Sequence, residues 1–228
     1  MNAITYRQKA LAAALDPSHP LHLLPTVPPH ARRILEVGCH AGQILEALRL
    51  PAECELFGCD IDAEALELGS RMLPAAKFTM GRAEALPYED LFFDFVFARS
   101  VITVTDIPVA LRELHRVLAP KGKLWLSLHR WADCRVILGE AWPEHPVKTL
   151  AKGAYVLANS ALFHSTGKLV RYPLNRARMM SFQTETRMRY ELEKAGLTNI
   201  VVSRGKYLVI EAEKVSGSRQ GDENLRSE

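Results

Sequence analysis

The sequence predicts an α/β chain built on a doubly wound, mostly parallel sheet of seven strands. Three observations carry this. Strand and helix patterns alternate with short links from residue 33 onward, the signature of a parallel sheet covered on both faces. The first strand pattern runs into a glycine turn, Gly38 to Gly42, that opens a helix. Ile107, Ala110, Leu111, Leu114, Val117 and Leu118 fall on one helical face.

Each element has its own signal. Residues 33–37 (RILEV) form a buried strand, and residues 43–49 continue from the glycine turn as a helix. Residues 55–59 make the second strand, and Asp62 caps a helix reaching about Met72. Residues 77–80 and 93–98 are the third and fourth strands. Asp106 caps the periodic helix, Pro120-Lys121-Gly122 stops it, and residues 123–128 are the fifth strand. Residues 184–195 form a helix closed by Gly196. Residues 198–203 and 206–212 follow as a hairpin-like pair that adds an antiparallel strand.

Three stretches lie outside the alternation. Residues 1–30 hold a short helix over about 3–15 and a Pro/His-rich loop, together a lid. The main domain spans 31–214, with a helical lid insertion at 129–181 after strand five. Within it, residues 148–163 show an apolar helix pattern suited to selecting substrate and excluding water. Residues 215–228 carry no apolar pattern and are expected to be a disordered tail.

Composition narrows the class. The 228 residues are 48% apolar and 24% charged, with 29 basic against 26 acidic residues. That profile fits a globular protein and excludes a disulfide scaffold or a collagen-like chain. A net charge of +3 with no dense basic block gives no polyanion-binding signal, so no nucleic-acid partner is expected. No apolar run approaches a membrane span, and Asp16-Pro17 breaks the one leader-like stretch, so no membrane partner and a cytoplasmic location are expected. Four cysteines at 39, 54, 59 and 134 include no CxxC and no zinc spacing, so no metal is expected.

The glycine turn, Leu35-Glu36-Val37-Gly38-Cys39-His40-Ala41-Gly42, points to a nucleoside ligand. Ligands of open α/β sheets bind beyond the carboxyl ends of strands. Strand two ends at Asp60, where a carboxylate can accept both ribose hydroxyls. The dinucleotide fingerprint fails because His40 and Gln43 stand where it needs glycine, and no P-loop is present. Glu36 would repel a pyrophosphate but suits a cationic ligand. A nucleoside with positive charge describes S-adenosylmethionine (SAM).

At this point residues 33–128 resemble a class I SAM-dependent methyltransferase of the ubiquinone/menaquinone-biosynthesis type. Residues 34–42 resemble its E-V-G-x-G-x-G motif, and Gly58-Cys59-Asp60-Ile61-Asp62 with Leu66 its G-x-D-x-S-x-x-x-L. Residues 81–88 resemble G-D-A-E-x-L-P-F. Phe93-Asp94-Phe95-Val96 matches F-D-x-V, and residues 111–122 match L-R-E-x-x-R-V-L-x-P-x-G. Two positions depart: His40 replaces a glycine and Arg82 an aspartate. The resemblance implies a Rossmann-like methyltransferase fold with SAM as cofactor, and the apolar pattern of 148–163, facing inward, would favour a small, partly hydrophobic methyl acceptor.

By the same resemblance, Glu36, Gly38, Cys39, His40 and Gly42 surround the methionine end of SAM. Asp60 takes the ribose, Ile61 packs on adenine, and Ala83 and Glu84 border it. Arg99 faces the cofactor and substrate from the end of strand four. His129, at the end of strand five, is the candidate base. His164, Tyr155 and His40 are further candidates for substrate contact, and Arg171, Arg176, Arg178, Arg187 and Arg189 could hold a carboxylate or phosphate. Methyl transfer is an in-line displacement that mainly needs alignment and a dry site. A nicotinamide oxidoreductase, a degenerate SAM-binding or interaction protein and a different SAM-assisted reaction stand as alternatives.

Overall fold

The computed structural model describes residues 2–128, 146–172, 179–205 and 207–216. The elements run α1 (Ala3–Leu15), β1 (Arg33–Val37), α2 (Gln43–Ala47), β2 (Glu55–Asp60), α3 (Ala63–Met72), β3 (Ala76–Met80) and β4 (Phe93–Arg99). They continue as α4 (Ile107–Val117), β5 (Leu118–Leu128), α5 (Pro146–Thr166), α6 (Glu185–Lys194), β6 (Leu197–Arg204) and β7 (Leu208–Lys214). The seven strands form one sheet in the order β3-β2-β1-β4-β5-β7-β6. The first five pair in parallel, and β7 runs antiparallel to both of its neighbours. This is the doubly wound, mostly parallel sheet that the alternation predicts.

Side-chain alternation along the strands feeds two cores. On β4, Val96 and Ala98 face the layer built by Leu111, Leu114, Met188 and Leu192 of α4 and α6. Phe95 and Phe97 face the opposite layer, with Ile34, Ile44, Leu45 and Trp125. Strand residues pointing alternately to two covered faces explain why β4 is apolar almost throughout.

Helix starts follow the expected caps. The Asp62 carboxylate accepts from the Ala65 N–H, and Asp106 accepts from Val109. Thr184 does the same for Arg187 at the head of α6, and Gly196 follows that helix at φ +90. Ends are less faithful. The helix after the glycine turn stops at Ala47, short of residue 49, where Arg49 turns to φ +47. β5 begins at Leu118 rather than 123, because the chain bends through Lys121 at φ +62 while Phe93 still pairs with Leu118. β7 runs 208–214 rather than 206–212. Its Leu208, Ile210 and Ala212 sit in the core opposite Leu128, Leu126 and Leu124 of β5, which sets the register.

Arg116, within the 111–122 motif, has a structural task. Its guanidinium donates to the carbonyls of Tyr88 and Leu86 and pairs with Asp90 and Glu113. The Glu113 carboxylate in turn accepts from the Leu86 N–H. One side chain thus ties the 86–90 loop to α4. Arg116→Met leaves two carbonyls and two carboxylates without this donor and is expected to cost about 2–4 kcal/mol in urea unfolding. Arg116→Lys, keeping charge without the fork, should fall between the two.

Candidate functional site

The sheet order reverses between β1 and β4, with β2 and β3 wound one way and β4 and β5 the other. A crevice beyond the carboxyl ends of strands is expected at such a switch point. A cavity of about 340 Å³ lies there, lined by Val37, Gly38 and His40 after β1, Cys59 to Asp62 after β2, and Gly81 to Glu84 after β3. Val101, Val104 and Thr105 close its fourth side.

The glycine turn is built by backbone geometry. Gly38 adopts φ +77 and Gly42 φ +72, both left-handed. A Cβ on Gly38 would stand 2.0 Å from Val101 Cγ2. Gly38→Ala therefore combines an unfavourable φ with a clash against the cavity wall, and should cost about 2–4 kcal/mol. Val101→Ala in the same chain should return part of that loss in thermal unfolding.

Asp60 is held by two main-chain donors. Its Oδ2 accepts from the His40 N–H at 2.7 Å and its Oδ1 from the Asp62 N–H at 3.1 Å. A carboxylate has about four acceptor positions, so each oxygen keeps capacity for a further donor at the cavity. Asp62, not Asp60, caps α3. Ile61 is 58% exposed although apolar, and it lines the cavity rather than the core. Ala83 is buried beside it, and Glu84 accepts from the Asp106 N–H and pairs with Arg82.

Glu36, Cys39, Gly42 and Arg99 do not line the cavity; they stand behind or beside it. The Glu36 side chain is buried and its Oε2 has no hydrogen-bond partner among the described residues. Burial raises its pKa well above the ordinary value, opposed by the nearby Arg99 charge and the Leu45 N–H. Arg99 also donates to the Leu21 carbonyl, bringing the 16–30 loop to the end of β4. Burial likewise raises the Cys39 thiol, whose Sγ contacts Gly58 and the His40 carbonyl. Cys59, against the cavity, is pushed up to about 12 by burial and then by Asp60. Neither thiol is an activated nucleophile. Gly42 serves the N-terminus of α2 and the packing of Phe78.

The remaining candidates divide. His129, Arg176 and Arg178 lie outside the described residues. His164 uses both ring nitrogens, on the Ser160 carbonyl and the Thr184 hydroxyl. The Tyr155 hydroxyl donates to the Val170 carbonyl and receives the Met180 N–H and the Asn159 amide. Arg187 pairs with the buried Glu191, and Arg189 pairs with Glu185 and donates to the Ile200 carbonyl. These groups brace α5 and α6.

Residues 101–105 were missed as site residues. Their turn after β4, with a short 3₁₀ segment at Ile102–Val104, carries no motif. Position alone, immediately after a strand beside the switch point, is the signal that could have found them. The Met179 and Ser181 N–H groups bond to the Val104 and Thr103 carbonyls. The returning end of the 129–181 segment therefore borders the site. Among the described residues no His/Cys/Asp/Glu group suited to a metal occurs, and no helix is long and apolar enough to cross a membrane.

This sheet order, with a cavity at the switch point and an acid at the end of β2, is that of the Rossmann-like methyltransferase fold. Residues 35–126 match the family described as methyltransferase domain. A malonyl-[acyl-carrier protein] O-methyltransferase of Halorhodospira halophila is 34% identical over 129 residues, 54% of this chain and 43% of that protein. A demethylmenaquinone methyltransferase of Symbiobacterium thermophilum is 33% identical over 99 residues, 40% of this chain and 39% of its own length. The chain thus spans about two fifths of these curated relatives. A SAM-dependent methyltransferase structure from Methanosarcina mazei superposes with a TM-score of 0.55 at 21% identity, covering 84% of this chain and 95% of that one. One from Thermotoga maritima, described as a possible histamine N-methyltransferase, gives 0.56 at 19% identity, covering 93% and 90%. These likenesses establish the fold.

Proposed function

We propose that the chain binds SAM in the 340 Å³ cavity and transfers its methyl group to a small, partly hydrophobic molecule. The observation that carries this is Asp60: a carboxylate fixed by two backbone N–H groups, with acceptor capacity left at the cavity. That capacity matches the two hydroxyls of a ribose. Ile61 offers an exposed apolar face for a purine, with Ala83 and Glu84 along its edge. The buried Glu36 carboxyl stands behind the glycine turn, where a cationic ligand would favour its ionisation and gain from it. The residues present therefore fit the cofactor.

When bound, SAM supplies a methyl group on a sulfonium, which leaves as a neutral thioether. The chain's contribution is to bind, orient and exclude water. Val101 and Val104 give the cavity an apolar wall after β4. In this reading residues 2–30 and the described part of the later segment that ends at Met179–Ser181 border the acceptor side, supported by the contacts of Arg99 with Leu21 and of residues 179 and 181 with the 103–104 turn. No general base is required unless the acceptor arrives protonated.

Turnover tests the reading. The chain is incubated with methyl-labelled SAM and a panel of small amphipathic acceptors carrying hydroxyl, enol, amine or thiol groups. Acceptor-dependent formation of S-adenosylhomocysteine is expected, and it should vanish in Asp60→Ala. Tight cofactor binding without transfer to any acceptor class would favour a SAM-binding protein instead.

A further inference from the structure

Helix α5 is inside out. Its inward face carries polar groups: Thr149, Asn159 and Ser160 are buried there, beside Val156 and Phe163. From 147 to 161 every exposed residue described on the helix is apolar. Val147, Leu150 and Leu157 are 79%, 64% and 48% exposed. At helical spacing these three and the exposed alanines between them share one side, within about 120° of arc. A large apolar face left in water is the informative exception on a protein surface and marks a place of contact.

The inward face has a local cause. The Ser160 Oγ accepts from the Phe182 N–H, the Asn159 amide donates to the Met180 carbonyl, and the Tyr155 hydroxyl accepts from the Met180 N–H. These bonds fasten α5 to the segment whose Met179 and Ser181 N–H groups bond the 103–104 turn at the cavity. Val170, whose N–H donates to Asn159 and whose carbonyl accepts from Tyr155, adds another exposed apolar side chain next to the helix.

Charge selects the occupant of the outward face. Residues 145–184 contain Lys148, Lys152, Lys168, Arg171, Arg176 and Arg178 and not one Asp or Glu. This segment carries +6, whereas the rest of the chain, with 23 basic against 26 acidic residues, carries −3. The balanced total conceals the separation. Lys168 and Arg171 are exposed just beyond the end of α5. A second copy docking by the same face across a two-fold axis would bring two +6 segments together, which like-charge repulsion opposes. An apolar helix face in a basic, acid-free setting fits the boundary of an anionic bilayer, where apolar side chains enter the acyl edge and cations meet headgroups.

We propose that α5 is an interfacial helix that docks this chain on an anionic lipid surface through Val147, Leu150 and Leu157, with Lys168 and Arg171 at the headgroups. Docking at a surface needs no spanning segment, so the expectation of no membrane partner, which rests on the lack of one, does not bear on it. The docking face lies outside the 340 Å³ cavity and is independent of what the cavity binds.

The full chain is sedimented with vesicles of phosphatidylcholine alone and with vesicles containing about one third phosphatidylglycerol. Binding to the anionic vesicles is expected to be about tenfold or more tighter than to the neutral ones, and to weaken as salt rises. Leu150→Gln with Leu157→Gln should weaken it by roughly 100-fold, about tenfold for each leucine that no longer leaves water. Lys168→Glu with Arg171→Glu should weaken it by about 25-fold or more, at about fivefold per charge. Both variants change exposed positions and should unfold at the temperature of the unaltered chain, which separates docking from folding. Failure to bind anionic vesicles, equal binding to both vesicle types, or binding that the leucine substitutions leave unchanged overturns the proposal. In place of vesicle binding, a concentration-dependent dimer that the leucine substitutions dissolve would give the face to a second copy, and a monomer that ignores both vesicle types would give it to a protein partner.

Discussion

Asp60→Ala is expected to lose S-adenosylhomocysteine affinity by about two orders of magnitude or more, the largest effect of any single side-chain change at the site. Two ribose hydroxyls donating to a carboxylate are worth about 1.5–3 kcal/mol each, and every 1.4 kcal/mol is a factor of ten. The alanine also frees the His40 and Asp62 N–H groups, now bonded at 2.7 and 3.1 Å, so the glycine turn loses its tie to the end of β2. Asp60→Asn keeps one carbonyl acceptor and should lose about 50-fold or more, still less than alanine, since one charge-assisted bond is downgraded and the other is removed. Calorimetry on samples whose thermal unfolding is still cooperative separates binding from folding. An Asp60→Ala chain that binds within threefold of the unaltered one would remove the carboxylate from the cofactor site.

Glu36→Gln is expected to act on stability and binding in opposite directions. The carboxyl is 2% exposed, and burial lifts its pKa well above the ordinary 4.5. The folded chain therefore holds this proton more tightly than the unfolded one. Stability is highest at low pH as far as this group is concerned, and falls as pH rises from 4.5 toward the raised value. Glutamine keeps an acceptor for the Leu45 N–H and carries no charge to bury. The ligand-free variant should be more stable at neutral pH, unfolding at a higher temperature, and that slope should disappear. The same variant should bind SAM about tenfold or more weakly, because an acid that can ionise beside the sulfonium is replaced by a group that cannot. Thermal unfolding across pH, with and without SAM, reads both effects. A destabilised ligand-free variant, or SAM binding unchanged by the substitution, would show that Glu36 is a structural acid only.

Much of this was readable from the chain, for local reasons. Gly38, Asp60, Asp62 and Asp106 sit at strand ends and helix starts, where a few neighbouring residues determine the conformation. Their placement follows from short-range rules. Ile61 is expected as an adenine contact only through the motif, and its side chain is exposed at the cavity rather than packed in the core. The docking of α1 on the glycine turn was invisible because it is made by Arg7 through contacts 34 and 39 residues away in the chain. No pattern within α1 announces them. His164 and Tyr155 looked chemical in sequence because their side chains can do chemistry. In the fold their polar atoms are spent on main-chain and side-chain partners that fasten α5 to the segment before α6. The turn at 101–105 carries no motif, and only the sheet order places it at the switch point.

The most direct measurement is a calorimetric titration of the unaltered chain with SAM and S-adenosylhomocysteine, with NADH as the control. Saturable one-to-one binding of both sulfur ligands at micromolar concentrations, with no heat from NADH, is the expected result. A cooperatively folded sample that binds neither, or that binds NADH instead, would contradict the assignment of this cavity to SAM.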